Sequence, residues 1–149
     1  MTKAPVLIRI PLALLLAALF GLAHAEQAVD FGDVVVHYNA VTTDFFDPRV
    51  AKAYGIKRSK NRGLLTISVL KKRMGVTSLP IRAQVSVNSV NLSNQVRHLS
   101  LREISDNGAI YYVAEFPVTD GETLNFTITI HQKDGEPRVI RYRRTFVTH

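Results

Sequence analysis

The sequence predicts an all-β protein: an immunoglobulin-like or fibronectin-like antiparallel β-sandwich of about seven strands with one short connector helix. Three observations support this prediction. Apolar and polar residues alternate along several segments of strand length. Turn residues separate these segments at short, regular intervals. A single short helix signal lies between the first two segments. A small up-and-down barrel is the alternative architecture.

The segment from Thr123 to Gln132 shows the alternation most clearly. Leu124, Phe126, Ile128 and Ile130 share one face, which predicts that this face is buried. The other predicted strands run over Asp33–Val41, Leu64–Lys72, the segment that Pro80 opens, Val96–Ser105, Ala109–Phe116 and Arg138–Val147.

Two local signals refine this strand pattern. Val85 and Val87 share one parity, whereas Val90 and Leu92 have the other, which predicts a bulge or a change of sheet near Asn88–Ser89. The tripeptide Asp106-Asn107-Gly108 is the strongest hairpin signal, because Asn and Gly tolerate the positive φ angles of a tight hairpin turn.

The helix signal lies between Asp47 and Gly55. Asp47 can cap a helix, Pro48 suits its first position, and Gly55 suits its end. Val50, Ala53 and Tyr54 have i, i+3, i+4 spacing and form the predicted buried side. We expect a connector helix across one end or edge of the sheets.

The first 25 residues are typical of a secretory signal peptide. Lys3 and Arg9 supply its positive start, and an apolar run follows from Ile10 to Leu22. This run is shorter than the ~20 residues that a helical membrane span needs. Ala23-His24-Ala25 resembles a cleavage site. We therefore expect residues 26–149 to form a single domain that is exported to the periplasm without a stable membrane span.

The composition excludes several kinds of chemistry. The chain has no Cys, so it has no disulfide, thiolate nucleophile, Cys-based zinc site or iron–sulfur cluster. His37, His98, His131 and His149 are widely separated and lack the spacing of a metal site. There is no nucleophile elbow and no glycine-rich phosphate loop. We therefore predict no catalytic residue and no cofactor.

A basic loop is predicted after the helix, from Ile56 to Gly63. Lys57, Arg58, Lys60 and Arg62 lie within six residues, and a second basic cluster spans 138–144. Such clusters attract anionic groups. The alternative interpretation is solvated charge that keeps the sheet exterior soluble. Nucleic acid is not expected as a partner, because the chain is predicted to be exported and the cations lack an ordered set of aromatic residues.

Several stretches resemble a family of small exported proteobacterial proteins classed as a domain of unknown function. They span residues 37–40, 50–56, 58–63 and 67–72. The resemblance implies export and assigns no activity. It also directs attention to the helix and its loop, since loops on a rigid scaffold often carry recognition. The predicted partner-binding residues are Tyr38, Asn39, Tyr54, Lys57, Arg58, Lys60, Asn61 and Arg62.

Together these features predict a periplasmic, non-catalytic binding module. We expect it to be monomeric or weakly associating, and to contact an unknown protein or an anionic component of the cell envelope. Two other functions stay open from the sequence. One is an envelope hydrolase or metal-dependent enzyme, which would require the histidines to converge with a carboxylate. The other is a structural or assembly subunit, which would require an exposed apolar edge strand.

Overall fold

A computed structural model of the chain describes residues 27–133 and 135–148. The predicted signal peptide, residues 1–25, lies outside the described residues. The described chain forms two antiparallel sheets, one of six strands and one of four, with a hydrophobic core between them. The predicted all-β sandwich is confirmed, and the alternative of a barrel is wrong.

The ten strands of the described residues form sheets A and B. Sheet A has the order β1-β2-β3-β8-β7, with β4 also pairing with β3, and sheet B has the order β10-β9-β5-β6. A 3-10 helix at Thr43–Phe45 and a helix α1 at Pro48–Ala53 connect β2 to β3. The strands are β1 Gln27–Asp30, β2 Val34–Thr42, β3 Arg62–Arg73, β4 Val76–Pro80, β5 Gln84–Asn91, β6 Val96–Leu99, β7 Arg102–Asp106, β8 Ala109–Pro117, β9 Thr123–His131 and β10 Arg138–Thr145.

The sequence underestimates the number of strands in the described chain. Strands β1 and β4 were not predicted, because segments of four and five residues are too short to show a clear alternation. The predicted strand Val96–Ser105 is divided between the two sheets. Its first half is β6 in sheet B and its second half is β7 in sheet A, so the chain crosses over near residues 100–101.

The predicted irregularity near Asn88–Ser89 is wrong. Strand β5 keeps an unbroken register with β9 from Gln84 to Asn91. Ser89 takes an inward position and is 1% exposed, so a small polar side chain stands where the pattern suggested an apolar one.

By contrast, the hairpin at Asp106-Asn107-Gly108 is confirmed. Asn107 and Gly108 have φ angles of 47° and 82°, as a type I′ turn requires.

Aromatic side chains fill the core between the sheets. The ring centroid of Phe116 lies 5.4 Å from that of Phe126 and 5.7 Å from that of Phe146. Tyr38 of β2 meets Tyr142 of β10 edge to face, with 5.1 Å between centroids. Phe116 comes from sheet A and Phe126 from sheet B, so these contacts hold the two layers together.

A second, smaller core lies on the outer face of sheet A. It consists of buried Leu64 and Val113 on the sheet together with Phe46, Ala51 and Ile56 from the connecting segment. Helix α1 therefore covers a sheet face, whereas an end or edge was expected. The apolar outward positions of β3 and β8 explain the difference, because they would otherwise be exposed to water.

The predicted helix boundaries are confirmed, but one predicted buried residue is wrong. The Asp47 carboxylate accepts a hydrogen bond from the Arg49 N–H at 2.8 Å, and Gly55 has a φ angle of 63°. Ala51 is the buried helix residue, at 2% exposure, and Ala53 is exposed. In a helix of only six residues, the spacing of apolar residues does not fix which side is buried to better than about one residue.

Gly63 permits a close approach of β3 to β8, and its substitution is expected to destabilise the protein. Gly63 lies opposite Phe116, and a Cβ atom at position 63 would overlap the phenyl ring. Because Phe116 is fully buried, its ring cannot move aside without strain. We expect Gly63→Ala to lower the free energy of unfolding by about 1–3 kcal/mol, measured by urea denaturation.

A double-mutant cycle tests this explanation. Phe116→Leu should cost less stability in the Gly63→Ala background than in the wild type, because the smaller side chain relieves the overlap. Simply additive effects of the two substitutions would contradict it.

Candidate functional site

The basic loop, residues 56–61, follows helix α1 and leads into β3. Arg62 and Gly63, which the sequence placed in the loop, belong to β3. At the start of the loop, the buried Ile56 side chain belongs to the small outer core. The loop is therefore attached to sheet A at both ends, and its exposed side chains project from a fixed base.

Thr43 holds the middle of the basic loop. Its side chain is completely buried. The Thr43 hydroxyl lies 2.7 Å from the Lys57 carbonyl oxygen and 3.1 Å from the Ser59 carbonyl oxygen, and it accepts a hydrogen bond from the Ser59 N–H at 2.9 Å. One side chain thus satisfies backbone groups of two loop residues, which gives the loop a defined conformation.

Glu115 supports the same region from β8. One of its carboxylate oxygens accepts a hydrogen bond from the Lys57 N–H at 3.3 Å and lies 3.7 Å from the Arg62 guanidinium. The other oxygen lies 3.6 Å from the Arg102 guanidinium. The Glu115 side chain is only 17% exposed. Two cations share this single carboxylate, so positive charge remains in excess around it.

Three cations of the loop are exposed: Lys57, Arg58 and Lys60. The Arg58 guanidinium donates to the carbonyl oxygen of Asp44 at 2.9 Å, which orients it without neutralising its charge. No ion pair holds any of the three within the described residues. We call this group the loop cations.

Tyr54, just before the loop, and Asn61, its last residue, connect it to neighbouring segments. The Tyr54 hydroxyl donates to the Asp106 carboxylate at 3.1 Å, and the Tyr54 carbonyl oxygen accepts from Arg102 at 2.8 Å. Partial burial, and then the neighbouring Asp106, raise the pKa of Tyr54. The Asn61 carbonyl oxygen accepts from the Val118 N–H at 3.0 Å.

The structure does not bring Tyr38 to the loop. Tyr38 points into the core between the sheets and is 7% exposed. Asn39, its neighbour, lies on the outer face of sheet A, where its side-chain oxygen accepts from the Ala40 N–H at 2.9 Å. Of the eight predicted residues, Tyr54 and the five basic-segment residues Lys57, Arg58, Lys60, Asn61 and Arg62 lie together.

Sequence reasoning missed the residues that fix the loop. Thr43, Arg102 and Glu115 come from segments far apart in the chain, and only the fold brings them together. The outward position of Glu115 between the apolar residues of β8 was the one available signal. A carboxylate on a largely buried strand needs a charged or hydrogen-bonding partner.

The histidines lie on opposite sides of the sandwich. His98 is 2.6 Å from the Asn88 side-chain oxygen, and His131 is 2.9 Å from the Ser86 hydroxyl; both lie on the outer face of sheet B. His37 lies on the outer face of sheet A. His149 lies outside the described residues. Within residues 27–133 and 135–148, no three His, Asp or Glu side chains come close enough together to hold a metal ion.

Within the described part of the chain, no helix has both the length and the apolar character needed to cross a bilayer.

The fold and the loop define a β-sandwich protein that presents a fixed basic loop on one sheet. The family described as "Domain of unknown function (DUF4426)" matches residues 28–149, and the chain belongs to this family. The resemblance seen in the sequence is thereby confirmed.

Several solved structures have a similar fold. A DUF4426 family protein from Pseudomonas aeruginosa is 35% identical, with a TM-score of 0.66; the match covers 83% of this chain and 96% of that one. FetP from uropathogenic Escherichia coli, recombinantly expressed in the periplasm, is 12% identical, with a TM-score of 0.59 and coverage of 82% and 93%. A copper-bound FetP variant is also 12% identical, with a TM-score of 0.58 and coverage of 83% and 96%.

At that identity the FetP structures show a shared fold only. No curated protein sequence matches the chain.

Removal of the Thr43 hydroxyl is expected to loosen the loop. In Thr43→Val the shape is kept, but the part-buried hydrogen bonds to the Lys57 and Ser59 backbone are lost. We expect a loss of about 1–3 kcal/mol in the free energy of unfolding. Amide exchange in residues 56–61 should become faster. Thr77→Val, at an exposed position of β4, is the control and should leave both measurements unchanged. Unchanged exchange in Thr43→Val would contradict the role given to Thr43.

Alkaline pH is expected to destabilise the folded protein through two tyrosines of the core. Burial raises the pKa values of Tyr38 and Tyr142 above the ordinary value of 10.0. The folded state therefore keeps these phenols protonated at a pH at which the unfolded chain loses the protons. Their contribution to stability is present below pH 10 and is lost as the pH rises above it.

Tyr38→Phe tests this dependence. The variant should lose less stability than the wild type between pH 7 and about pH 11, measured by urea denaturation. Equal losses in the two proteins would contradict the assignment of Tyr38 to this effect.

Proposed function

We propose that this DUF4426 protein is a periplasmic, non-catalytic binding module whose basic loop contacts an anionic component of the cell envelope. The observation that carries the proposal is the combination of a fixed loop backbone with exposed loop cations. Thr43 and Glu115 fix the backbone, and Lys57, Arg58 and Lys60 project from it into solvent.

The fixed backbone favours binding because it lowers the entropy that is lost on contact. A loop that already has its bound conformation needs little further ordering, so more of the attraction contributes to affinity. The Arg58 guanidinium is also oriented in advance by the Asp44 carbonyl oxygen. Planar guanidinium groups suit the paired oxygens of phosphates and carboxylates.

The charges around the loop favour an anionic partner. Glu115, the carboxylate beneath the loop, is already shared by Arg62 and Arg102, so it does not neutralise the loop cations. The resulting positive potential would attract phosphate or carboxylate groups before contact.

Export to the periplasm is part of the same proposal. Its support is the sequence of residues 1–25, which has the positive start, apolar centre and small-residue end of a cleaved leader. The family match begins at residue 28, so two residues separate it from this segment. Envelope phospholipids, lipopolysaccharide phosphates and acidic glycans would then be accessible anions.

Vesicle binding tests the role of the loop. The protein from residue 26 onward should co-sediment with phosphatidylglycerol vesicles and not with phosphatidylcholine vesicles. Binding should weaken between about 0.01 M and about 0.1 M salt, as the Debye length falls from about 30 to about 10 Å. We expect Lys57→Glu combined with Lys60→Glu to weaken binding at least about tenfold.

A matched variant separates the loop from net charge. Lys71→Glu combined with Arg73→Glu changes the charge equally, at the far end of β3, and should retain most of the binding. If both double variants lose binding equally, or if binding is insensitive to salt, the basic loop is not the site.

A further inference from the structure

Strand β10 forms an edge of sheet B that differs from the other sheet edges. It is eight residues long, whereas the edge strands β1, β4, β6 and β7 have four, five, four and five residues. On one side β10 pairs with β9 throughout its length. No strand pairs with its other side within the described residues. This side offers backbone N–H and C=O groups to an incoming strand.

Two arginines mark the outer face of this edge strand. Arg141 and Arg143 are exposed and have the same parity, so they lie about 6.6–6.8 Å apart along the strand. The Arg143 Nε donates to the Asn125 side-chain oxygen at 3.0 Å, which orients the guanidinium and leaves its terminal nitrogens available. Neither arginine forms an ion pair within the described residues.

The sheet face beside these arginines has no carboxylate. The outward positions of β5, β6, β9 and β10 in the described chain are occupied by Gln, Ser, Asn, Thr, His, Val and Arg, without Asp or Glu. The nearby Asp33 carboxylate is 2.7 Å from Arg138 and is thus already paired. Arg49, Arg62, Arg82 and Arg102 have carboxylate partners elsewhere. The pair on β10 therefore retains an unneutralised charge.

A depression of about 330 Å³ lies on the outer face of sheet B, over β9 and β10, and Asn125, Thr127, Arg141 and Arg143 contribute to its lining. An added strand would lie about 4.8 Å from β10, with alternate side chains on the outer face of the sheet. Two of those side chains would stand directly opposite Arg141 and Arg143.

We propose that β10 accepts an extended, acidic segment of a partner protein as an additional strand of sheet B. Backbone hydrogen bonds along the free edge would supply affinity, and carboxylates at alternate positions opposite Arg141 and Arg143 would supply specificity. A second copy of this chain is a poor occupant, because pairing β10 with β10 would bring arginines close to arginines. This surface is separate from the loop cations, and the two proposals stand or fall independently.

Peptide binding tests this proposal. The probe is a synthetic peptide of eight residues, the length of β10, with Glu at alternate positions between Val residues. A second peptide has Lys in place of each Glu. We expect the protein from residue 26 onward to bind only the Glu peptide, measured by fluorescence anisotropy. Arg141→Glu combined with Arg143→Glu should weaken this binding at least about tenfold and create binding of the Lys peptide.

A matched control and a second measurement complete the test. Lys57→Glu combined with Lys60→Glu changes the net charge equally and should leave peptide binding unchanged. In the wild type, the Glu peptide should slow amide exchange within β10, because a new strand bonds its free edge.

Gain of Lys-peptide binding also shows that the charge-reversed protein is folded. Equal binding of both peptides, equal loss in the two double variants, or binding without slower exchange in β10 would overturn the proposal. So would dimerisation of the wild type through β10.

Discussion

The burial of Leu64 and Val113 on the outer face of sheet A determines where the basic loop lies. These two residues are apolar and point away from the main core. Burying them requires a cover, which the segment between β2 and β3 supplies through Phe46, Ala51 and Ile56. The loop begins at Ile56, so the residues that shield the sheet also place the loop above β8. Strand β3 thus has a core on each side, and the loop position follows from packing.

Polar contacts then convert this position into a defined loop conformation. Thr43 and Glu115 both lie near the outer core, where unsatisfied polar groups would be costly, and both use loop backbone groups as partners. The Glu115 carboxylate is shared by Arg62 and Arg102. It therefore forms no ion pair with the exposed lysines of the loop. Thr43 and Glu115 together fix the loop backbone, and the two arginine partners of Glu115 leave the loop cations without a carboxylate partner.

Local signals in the sequence predicted the parts of the fold that depend on neighbouring residues. Asp47 and Gly55 defined the ends of helix α1, and Asn107-Gly108 defined the hairpin, because caps and turns are set by the conformations of a few residues. The features that the sequence missed depend on distant contacts. The crossover between β6 and β7, and the partners of Glu115, are fixed by packing of sheets that are remote in sequence. The predicted irregularity at Ser89 is wrong because small hydroxyl residues are compatible with either face of a strand.

The two exposed arginines of β10 determine which kinds of strand its free edge can pair with. Long free edges invite pairing with any extended chain, and proteins usually avoid this with short strands or charges. The other edges of the described sandwich are short, whereas β10 combines full length with two unpaired arginines on one face. Like charges opposite one another oppose pairing between copies, while the same arginines attract carboxylates. Arg141 and Arg143 would therefore protect the edge from self-association and select an acidic strand, so that both effects follow from one arrangement of charge.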